Sequence, residues 1–333
     1  MAYILLPLYL LAFILFSSQI LFINALGIIP LYVSSVIGAY KLHDYFHYNA
    51  GELKKVNRVK FTIVRWVSNS IYFDFNELRI LHSRHHQLMI DNEIFSNNLF
   101  INDDSKILTK FIFFLEFFYI PIISYIQFYK LINMVLKDKS YKTNLLAVIA
   151  IKLAIIALMC YLNAASLIFY AIGSIFQINT LRFFDAFQHV YESFHISQSP
   201  RKKSSEYEKA NTYTLVFPDS LKFIQALVLN FNIHNVHHLF PKIRWKELTE
   251  IDTQISDEYK SNQIPIGIAI NLYHTNRLKR LVHGQGIVID DESQKKRYSE
   301  FYGASALPFI YGVYRSCKRN SPTFNKVNIS LSN

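Results

Sequence analysis

Long apolar segments alternate with polar stretches along this chain. Two such segments open it, at residues 4–20 and 21–40, and three more follow at residues 107–132, 145–162 and 166–184. A membrane-spanning α-helix needs about 20 mostly apolar residues, and each segment comes close to that length. The pattern predicts a helical protein that crosses a bilayer several times.

The remaining stretches are mixed or polar. Residues 61–90 mix apolar and polar positions, which favours a helix lying on or beneath the membrane surface. The opening segment lacks the basic start and the cleavage site of a signal peptide, so we expect it to be retained. Positive residues accumulate in cytoplasmic loops, and the loop after the second apolar segment contains four of them: Lys54, Lys55, Arg58 and Lys60.

Composition supports the membrane assignment and narrows the chemistry. Hydrophobic residues make up 51% of the chain and charged residues 18%, which is low for a soluble protein. The two cysteines, Cys160 and Cys317, offer neither a disulfide framework nor zinc-ribbon spacing, so any metal must rely on histidine or carboxylate. In a hydropathic chain, the net charge of +11 indicates contact with anionic lipid or an acidic partner rather than with nucleic acid.

Histidines are concentrated in three clusters. On a helix, residues three and four positions apart share a face, so an HxxxH or HxxHH box directs two or three imidazoles at one point. One such pair could equally be a polar surface face or a hydrogen-bonded core histidine. The clusters are His43-Asp44-Tyr45-Phe46-His47, His82-Ser83-Arg84-His85-His86 and His234-Asn235-Val236-His237-His238.

The number of histidines indicates two metal ions. The three clusters supply eight imidazoles, which exceeds what one four-coordinate zinc ion needs. Neutral imidazole suits iron, zinc, copper and nickel alike, so the ligand type does not select the metal.

The clusters also constrain the topology, because they share one site only if they lie on one face of the bilayer. Three crossings after the second cluster would separate it from the third, so one apolar segment should not cross. Residues 107–132 are the candidate, because charge inside hydrocarbon is costly. Four polar or helix-breaking residues interrupt this segment: Lys110, Glu116, Pro121 and Lys130.

The arrangement resembles the membrane fatty acid desaturase and hydroxylase superfamily, which carries one HxxxH-type box followed by two HxxHH boxes facing the cytoplasm. The resemblance covers roughly residues 20–250. It includes the His43-Asp44 opening and the run His237-His238-Leu239-Phe240-Pro241, followed by Trp245 and Leu248. It implies that eight histidines are iron ligands: His43, His47, His82, His85, His86, His234, His237 and His238.

The resemblance implies a ninth ligand between the last span and the last box. His189 lies at that place, and Asp185 and Glu192, at i−4 and i+3 on its helical face, are expected to orient its ring. The alternative is a histidine merely paired with these carboxylates.

Several other polar residues receive supporting or ordinary roles. His195, His274 and His283 lack box spacing and are expected to be ordinary polar residues. Asp44 and Asn235 point away from the histidine faces of their boxes, which favours a structural or supporting role. Asn232 could hold a metal-bound water, or it could cap a helix or turn.

The resemblance implies a reaction in which two iron ions and O2, as co-substrate, oxidise a lipid hydrocarbon chain. The default substrate is a fatty acyl group, presented as a lipid, an acyl-CoA or an acyl carrier. Desaturation and hydroxylation differ only by small changes in substrate position, so the boxes do not separate them.

The chain has no flavin or nicotinamide fingerprint and no His-Pro-Gly-Gly stretch of the cytochrome b5 kind. We therefore expect a separate electron donor of the ferredoxin or cytochrome b5 type. A group of basic residues could form its docking surface or could contact lipid headgroups: Arg201, Lys202, Lys203, Lys242, Arg244, Lys246, Arg277, Lys279 and Arg280.

Together these observations predict an all-α integral membrane protein with four transmembrane helices, an interfacial helix and a cytoplasmic helical histidine-rich cap. Residues 1–250 form the desaturase-like domain, and residues 251–333 form a cytoplasmic extension packed on the cap. The nearest alternative is a hydroxylase or ketolase on the same scaffold. A metal-handling membrane protein is disfavoured, because transporters place their ligands near the bilayer midplane and these boxes lie at span ends. A catalytically dead relative with a structural metal site is a third alternative, although no box position is missing.

Overall fold

The structure of the protein is a computed structural model. It describes residues 2–48, 50–89, 91–93, 106–137, 139–191, 193–195, 201–254, 262–283, 288–290, 296–298 and 301–303. Glu192 and Cys317, together with the end of the chain after residue 303, lie outside the described residues.

The described chain is mostly helical. From the N-terminus the α-helices are α1 (Ala2–Phe16), α2 (Leu21–Phe46), α3 (Ala50–Lys55), α4 (Arg58–Val67), α5 (Phe75–Leu88), α6 (Lys106–Phe117), α7 (Ile122–Leu136), α8 (Lys139–Leu162), α9 (Ser166–Ala186), α10 (Ser205–Asn211), α11 (Lys222–Leu227), α12 (His234–Leu239), α13 (Leu248–Gln254), α14 (Ile266–Thr275) and α15 (Lys279–His283). A 3₁₀ helix, Asp219–Leu221, precedes α11.

Short strands accompany the helices, which an all-α prediction did not include. β1 (Asp91–Glu93) pairs in parallel with β2 (Ser193–His195), and β3 (Thr214–Val216) pairs in parallel with β4 (Gln263–Pro265). The two-residue strands β5 (Ile289–Asp290) and β6 (Lys296–Arg297) pair antiparallel. The strands are short because they only join loops of the polar region to one another.

Three described helices are long and apolar enough to cross a membrane: α2, the Tyr141–Leu162 part of α8, and α9. The protein is therefore a multi-pass membrane protein, as predicted. The first predicted span differs, because α1 ends at Phe16 and has 15 residues, fewer than the about 20 that a straight span needs. A turn at residues 17–20 replaces the end of the predicted segment.

Polar side chains close the turn between α1 and α2. The buried Asn24 side chain donates to the carbonyl oxygens of Leu15, Phe16 and Ser18, and Asn163 after α8 also donates to Ser18. These bonds give side-chain donors to carbonyls at the C-terminal end of α1 and in the turn that follows it. The α1–α2 hairpin and the α8–α9 hairpin are thus tied together at one end of the bundle.

The segment at residues 107–132 is not one straight helix. Ile107–Phe117 and Ile122–Asn133 are bent by 114° at the break between them, where Pro121 precedes α7. The Glu116 carboxylate spans this break, since Oε1 accepts from the Ile123 N–H at 3.0 Å and Oε2 accepts from Arg182 of α9 at 2.9 Å. The polar residues of this segment therefore fasten a bend to the bundle.

Residues 61–90, predicted as one helix, form two. α4 ends at Val67, and the side chain of Asp74 caps the start of α5 by accepting from the Asn76 and Glu77 N–H groups. Asn69 in the intervening turn has φ 60°, a left-handed conformation that Asn tolerates better than most residues. The helix is interrupted because the turn and the cap satisfy the backbone locally.

The polar region beyond residue 185 packs onto the membrane ends of α2, α5 and α9. Its core joins fully buried side chains from both parts, among them Leu42, Leu181, Leu215 and Phe187. The Phe301 ring lies 5.2 Å from the Phe187 ring. This cap covers the end of the bundle at which all three histidine boxes lie.

Candidate metal centre

The first two boxes lie at the ends of well-formed helices. His43 is in the last turn of α2, and His47 is the residue that follows the helix as its C-cap. The second box occupies the last turns of α5, whose start is fixed by the Asp74 cap. Since residues three and four apart share a helical face, both helices present their imidazoles in one direction.

The third box forms the short helix α12. Its first residue follows Ile233, and the preceding Asn232 side chain donates to the Leu215 carbonyl oxygen at 2.9 Å. The N–H of Asn235 donates to Thr214 Oγ1 at 3.2 Å. Contacts with β3 therefore position a helix that is too short to be stable alone.

His189 lies just beyond α9, which ends at Ala186. It is held by an antiparallel β-bridge to Thr212, and its ring stacks on that of Tyr191 with the centroids 4.2 Å apart. Asp185 and Glu192 were expected to orient it from one helical face, but His189 is not on a helix. Glu192 lies outside the described residues, so the role of these carboxylates stays a prediction.

The nine predicted histidines come together, and eight of them form two groups. Within each group the candidate ligand atoms all lie within 4.8 Å of one another. Each group combines side chains that are distant in sequence. The first group is His43, His47, His82 and His237; the second is His85, His189, His234 and His238.

His86 is the ninth residue and lies between the groups. Its Nε2 atom is 3.0 Å from Nε2 of His82 in the first group, and its ring stacks on that of His238 in the second group at 4.1 Å. The Nε2 contact associates His86 with the first group, which would then have five imidazoles.

The nitrogen atoms face one another in a way that suits metal ions. Nε2 of His82 is 2.7 Å from that of His47, and Nε2 of His189 is 3.1 Å from that of His85 and 2.8 Å from that of His234. A neutral imidazole carries one N–H, so mutual hydrogen bonds cannot satisfy every converging nitrogen. The buried Nε2 atoms of His237 and His238 have no hydrogen-bond partner. The donor set therefore fits two transition-metal ions.

Burial favours the neutral form of seven of these rings. Desolvation, with a smaller effect of the nearby His85, lowers the pKa of His47 to about 3. Desolvation also lowers the pKa of the other buried rings well below the ordinary value, with neighbouring histidines adding to the effect: His82, His86, His189, His234, His237 and His238. Neutral imidazole is the form that binds metal.

Comparison with known proteins adds one finding. A sequence model of the family described as "Fatty acid desaturase" matches residues 18–268, which is most of the chain and includes all three boxes. The chain belongs to the fatty acid desaturase family. Searches of curated proteins and of solved structures return no significant match.

An acidic residue that the sequence did not single out supports the second histidine group. Nδ1 of His238 donates to Glu208 Oε1 at 3.1 Å. The hydroxyl of the buried Tyr191 lies 3.4 Å from the same Nδ1 atom and 2.7 Å from Thr212 Oγ1. A carboxylate on one nitrogen fixes the tautomer and directs the other nitrogen to a metal. No sequence pattern indicated Glu208, because 30 positions separate it from His238.

The structure places the remaining polar residues in different surroundings. Asp44 pairs with Lys41, in line with a structural role. Asn232 does not cap α12, because the N-cap is Ile233; its role toward a metal-bound water stays a prediction. Neither metal-capable group in the described chain includes His274, whereas the side chains of His195 and His283 lie outside the described part of the structure.

One residue of the predicted basic surface is not on the surface. Arg280 is buried, and its guanidinium lies 3.6 Å from the centre of the Tyr273 ring. The sequence placed Arg280 on the surface because a run rich in lysine and arginine does not indicate which of its side chains is buried. Several others are exposed: Arg201, Lys202, Lys242, Arg244, Lys246 and Lys279.

Proposed function

We propose that this protein is a di-iron enzyme that oxidises a fatty acyl chain with O2, and that the reaction is desaturation. The observation that carries the proposal is the pair of histidine groups, each with its ligand atoms within 4.8 Å. Membership in the fatty acid desaturase family supports a lipid chain as substrate.

Nine imidazoles would hold the two irons. The first ion would be bound by His43, His47, His82, His86 and His237, and the second by His85, His189, His234 and His238. Bound iron supplies the power to oxidise an unactivated C–H bond, which no side chain has unaided. The protein supplies neutral ligands, a fixed orientation and the exclusion of water.

The aromatic side chains beside the first histidine group favour an apolar substrate. The Phe231 ring lies 4.4 Å from the His43 ring and 5.0 Å from the His237 ring, and it stacks on Tyr40 of α2 at 5.5 Å. On another side of the first group, Phe46 contacts His82 at 5.5 Å. An acyl methylene near the first group would therefore contact apolar rings. These rings would exclude water and hold the methylene in place.

The distances between boxes support a topology with the metal centre on one face. His85 lies before α6 and His189 lies after α9, yet their Nε2 atoms are 3.1 Å apart. An even number of crossings must separate them, and α8 and α9 supply two. The bent α6–α7 pair would then enter and leave on the same face, and α1 would be the fourth span. The positive loop after α2 favours the cytoplasm as that face.

Electron supply and domain boundaries complete the proposal. A separate ferredoxin or cytochrome b5-type donor would dock on the exposed basic residues of the cap, because complementary charge speeds association. Residues 251–333 would form an extension on the cap, which the contact between Phe301 and Phe187 supports.

Product analysis tests the function. The chain would be expressed in a host of known lipid content, and lipids would be analysed by mass spectrometry. A new lipid lacking two hydrogens supports desaturation, whereas a gain of one oxygen identifies a hydroxylase. His85→Ala removes a proposed ligand and should abolish the product, while His274→Ala, at an exposed histidine outside both groups, should keep it. An unchanged lipid profile beside correctly folded, iron-loaded protein would contradict the proposal.

A further inference from the structure

A second polar cluster lies inside the bundle, apart from the histidines. Lys152 is near the middle of the α8 span and only 8% exposed. Its Nζ atom donates to the Tyr9 hydroxyl at 3.2 Å and to Asn69 Oδ1 at 3.3 Å. Nδ2 of Asn69 in turn donates to Gln177 Oε1 of α9 at 3.3 Å. Side chains from four parts of the chain are thus linked by hydrogen bonds that begin at the Lys152 ammonium group and reach Gln177 through Asn69.

Among the residues that the structure describes, no carboxylate forms an ion pair with Lys152. Its neighbours are aromatic, with Nζ 4.6 Å from the centre of the Trp66 ring and 5.6 Å from that of Tyr9. Aromatic faces attract a cation only weakly compared with a carboxylate, and a charge at membrane depth is costly.

The Gln177 side chain independently indicates that this cluster lacks a hydrogen-bond acceptor. Its side chain is 2% exposed, and its Nε2 atom has no hydrogen-bond partner. Because its Oε1 atom is bound by Asn69, this unused N–H group belongs to the same cluster. A buried donor without an acceptor costs free energy, so the cluster has hydrogen-bond donors and lacks a negatively charged oxygen.

The backbone places Asn69 in this cluster. Asn69 lies in the turn between α4 and α5 with φ 60°, and the adjoining Ser68 N would lie 3.3 Å from a Cβ at Gly38 of α2. The turn therefore enters the bundle beside α2.

We propose that Lys152 and Gln177 form a subsite that binds the anionic oxygen of an acyl lipid, in the first instance a fatty acid carboxylate. Gln177 is nine residues before the end of α9, so a lipid anchored there is held about 14 Å along the helix from the metal end. The subsite would fix which part of the chain reaches the histidine groups. The inference rests on the proposed function only in taking the ligand to be an acyl lipid.

Binding measurements test the subsite without requiring turnover. The iron-loaded full chain, in nanodiscs of zwitterionic lipid, is titrated with a spin-labelled fatty acid and with its methyl ester. Lys152→Met should weaken binding of the acid by about tenfold to a hundredfold, the value of a charge-assisted hydrogen bond, and leave ester binding unchanged. Lys142→Met, the same substitution at an exposed position of α8, should change neither.

Each outcome decides the inference. Equal affinity of wild type and Lys152→Met for the acid, or equal loss for acid and ester, overturns it. If Lys152→Met does not fold, Gln177→Leu, which keeps the ammonium, carries the same comparison between acid and ester. A failed lipid product assay leaves these binding results unaffected, so the two proposals are tested separately.

Discussion

The orientation of each imidazole ring decides how the histidine groups serve a metal ion. His238 uses Nδ1 to bind Glu208, so its Nε2 atom is left to face the second group, where it has no protein partner. Such a carboxylate–histidine pair holds the ring in one tautomer and raises its basicity as a ligand. Glu208 is therefore a positioning residue for the second metal ion.

Glu208→Ala tests this role. We expect the affinity of the second group for iron to fall by about 10- to 100-fold, the usual effect of losing a partner of a metal-bound histidine. The loss is measured by competition with a chelator. Glu206→Ala is the matched control, because Glu206 is exposed on the same helix. Equal iron retention in both variants would contradict the assignment.

The buried histidines also predict how stability depends on pH. Burial lowers the folded-state pKa of His234, His237 and His238 below 6.5, so the unfolded chain binds more protons than the folded chain below that pH. The free energy of unfolding of the metal-free protein should therefore be greatest above pH 6.5 and fall as the pH is lowered from 7 to 5. Denaturant titrations at the two pH values measure it, and a stability that rises on acidification would refute the expectation.

The sequence predicted the metal-site residues that lie close together along the chain. It missed those that come into contact only in the folded structure. The boxes were predictable because helical spacing alone brings His82, His85 and His86 onto one side of α5. Glu208 and Tyr191 were missed because their contact with His238 arises only when the cap folds. The helical face expected for His189 came from extending α9 past Ala186, where the chain leaves the helix for a β-bridge.

Among the helices, the α6–α7 bend is the element that keeps the boxes on one side of the bundle in the proposed topology. Its 114° angle is stabilised by Glu116, 3% exposed, which binds Arg182 of α9 and the start of α7. The sequence indicated that this segment is interrupted by charge. It could not indicate the bend, because the ion pair joins positions 66 residues apart.

Glu116→Gln tests the fastening of the bend. The change keeps the shape of the side chain but deprives Arg182 of this carboxylate, and breaking a buried ion pair costs about 3–5 kcal/mol. We expect a clearly lower midpoint of thermal unfolding in detergent. Asp219→Asn, in the solvent-exposed pair with Lys222, should have no measurable effect. A midpoint for Glu116→Gln that equals the control would show that the bend is held by other contacts.

For the whole protein, the proposed topology requires the α1–α2 turn and the histidine cap to lie on opposite faces of the membrane. Single cysteines at exposed positions, Gln19→Cys and Lys242→Cys, report this in a background without Cys160 and Cys317. In sealed vesicles with the cytoplasmic face inside, an impermeant maleimide should label Gln19→Cys directly and Lys242→Cys only after permeabilisation. Labelling of both from the same side would exclude the proposed topology.

If nine imidazoles bind two irons, the purified protein must contain both metal ions, and its metal content can be measured. Elemental analysis of protein from iron-supplied cells should find two irons per chain. The content should fall to about one with His85→Ala, because that change removes one ligand of the second group. It should be unchanged with His274→Ala. Protein that contains no more than one iron per chain, or that contains zinc in iron's place, would rule out the proposed di-iron centre.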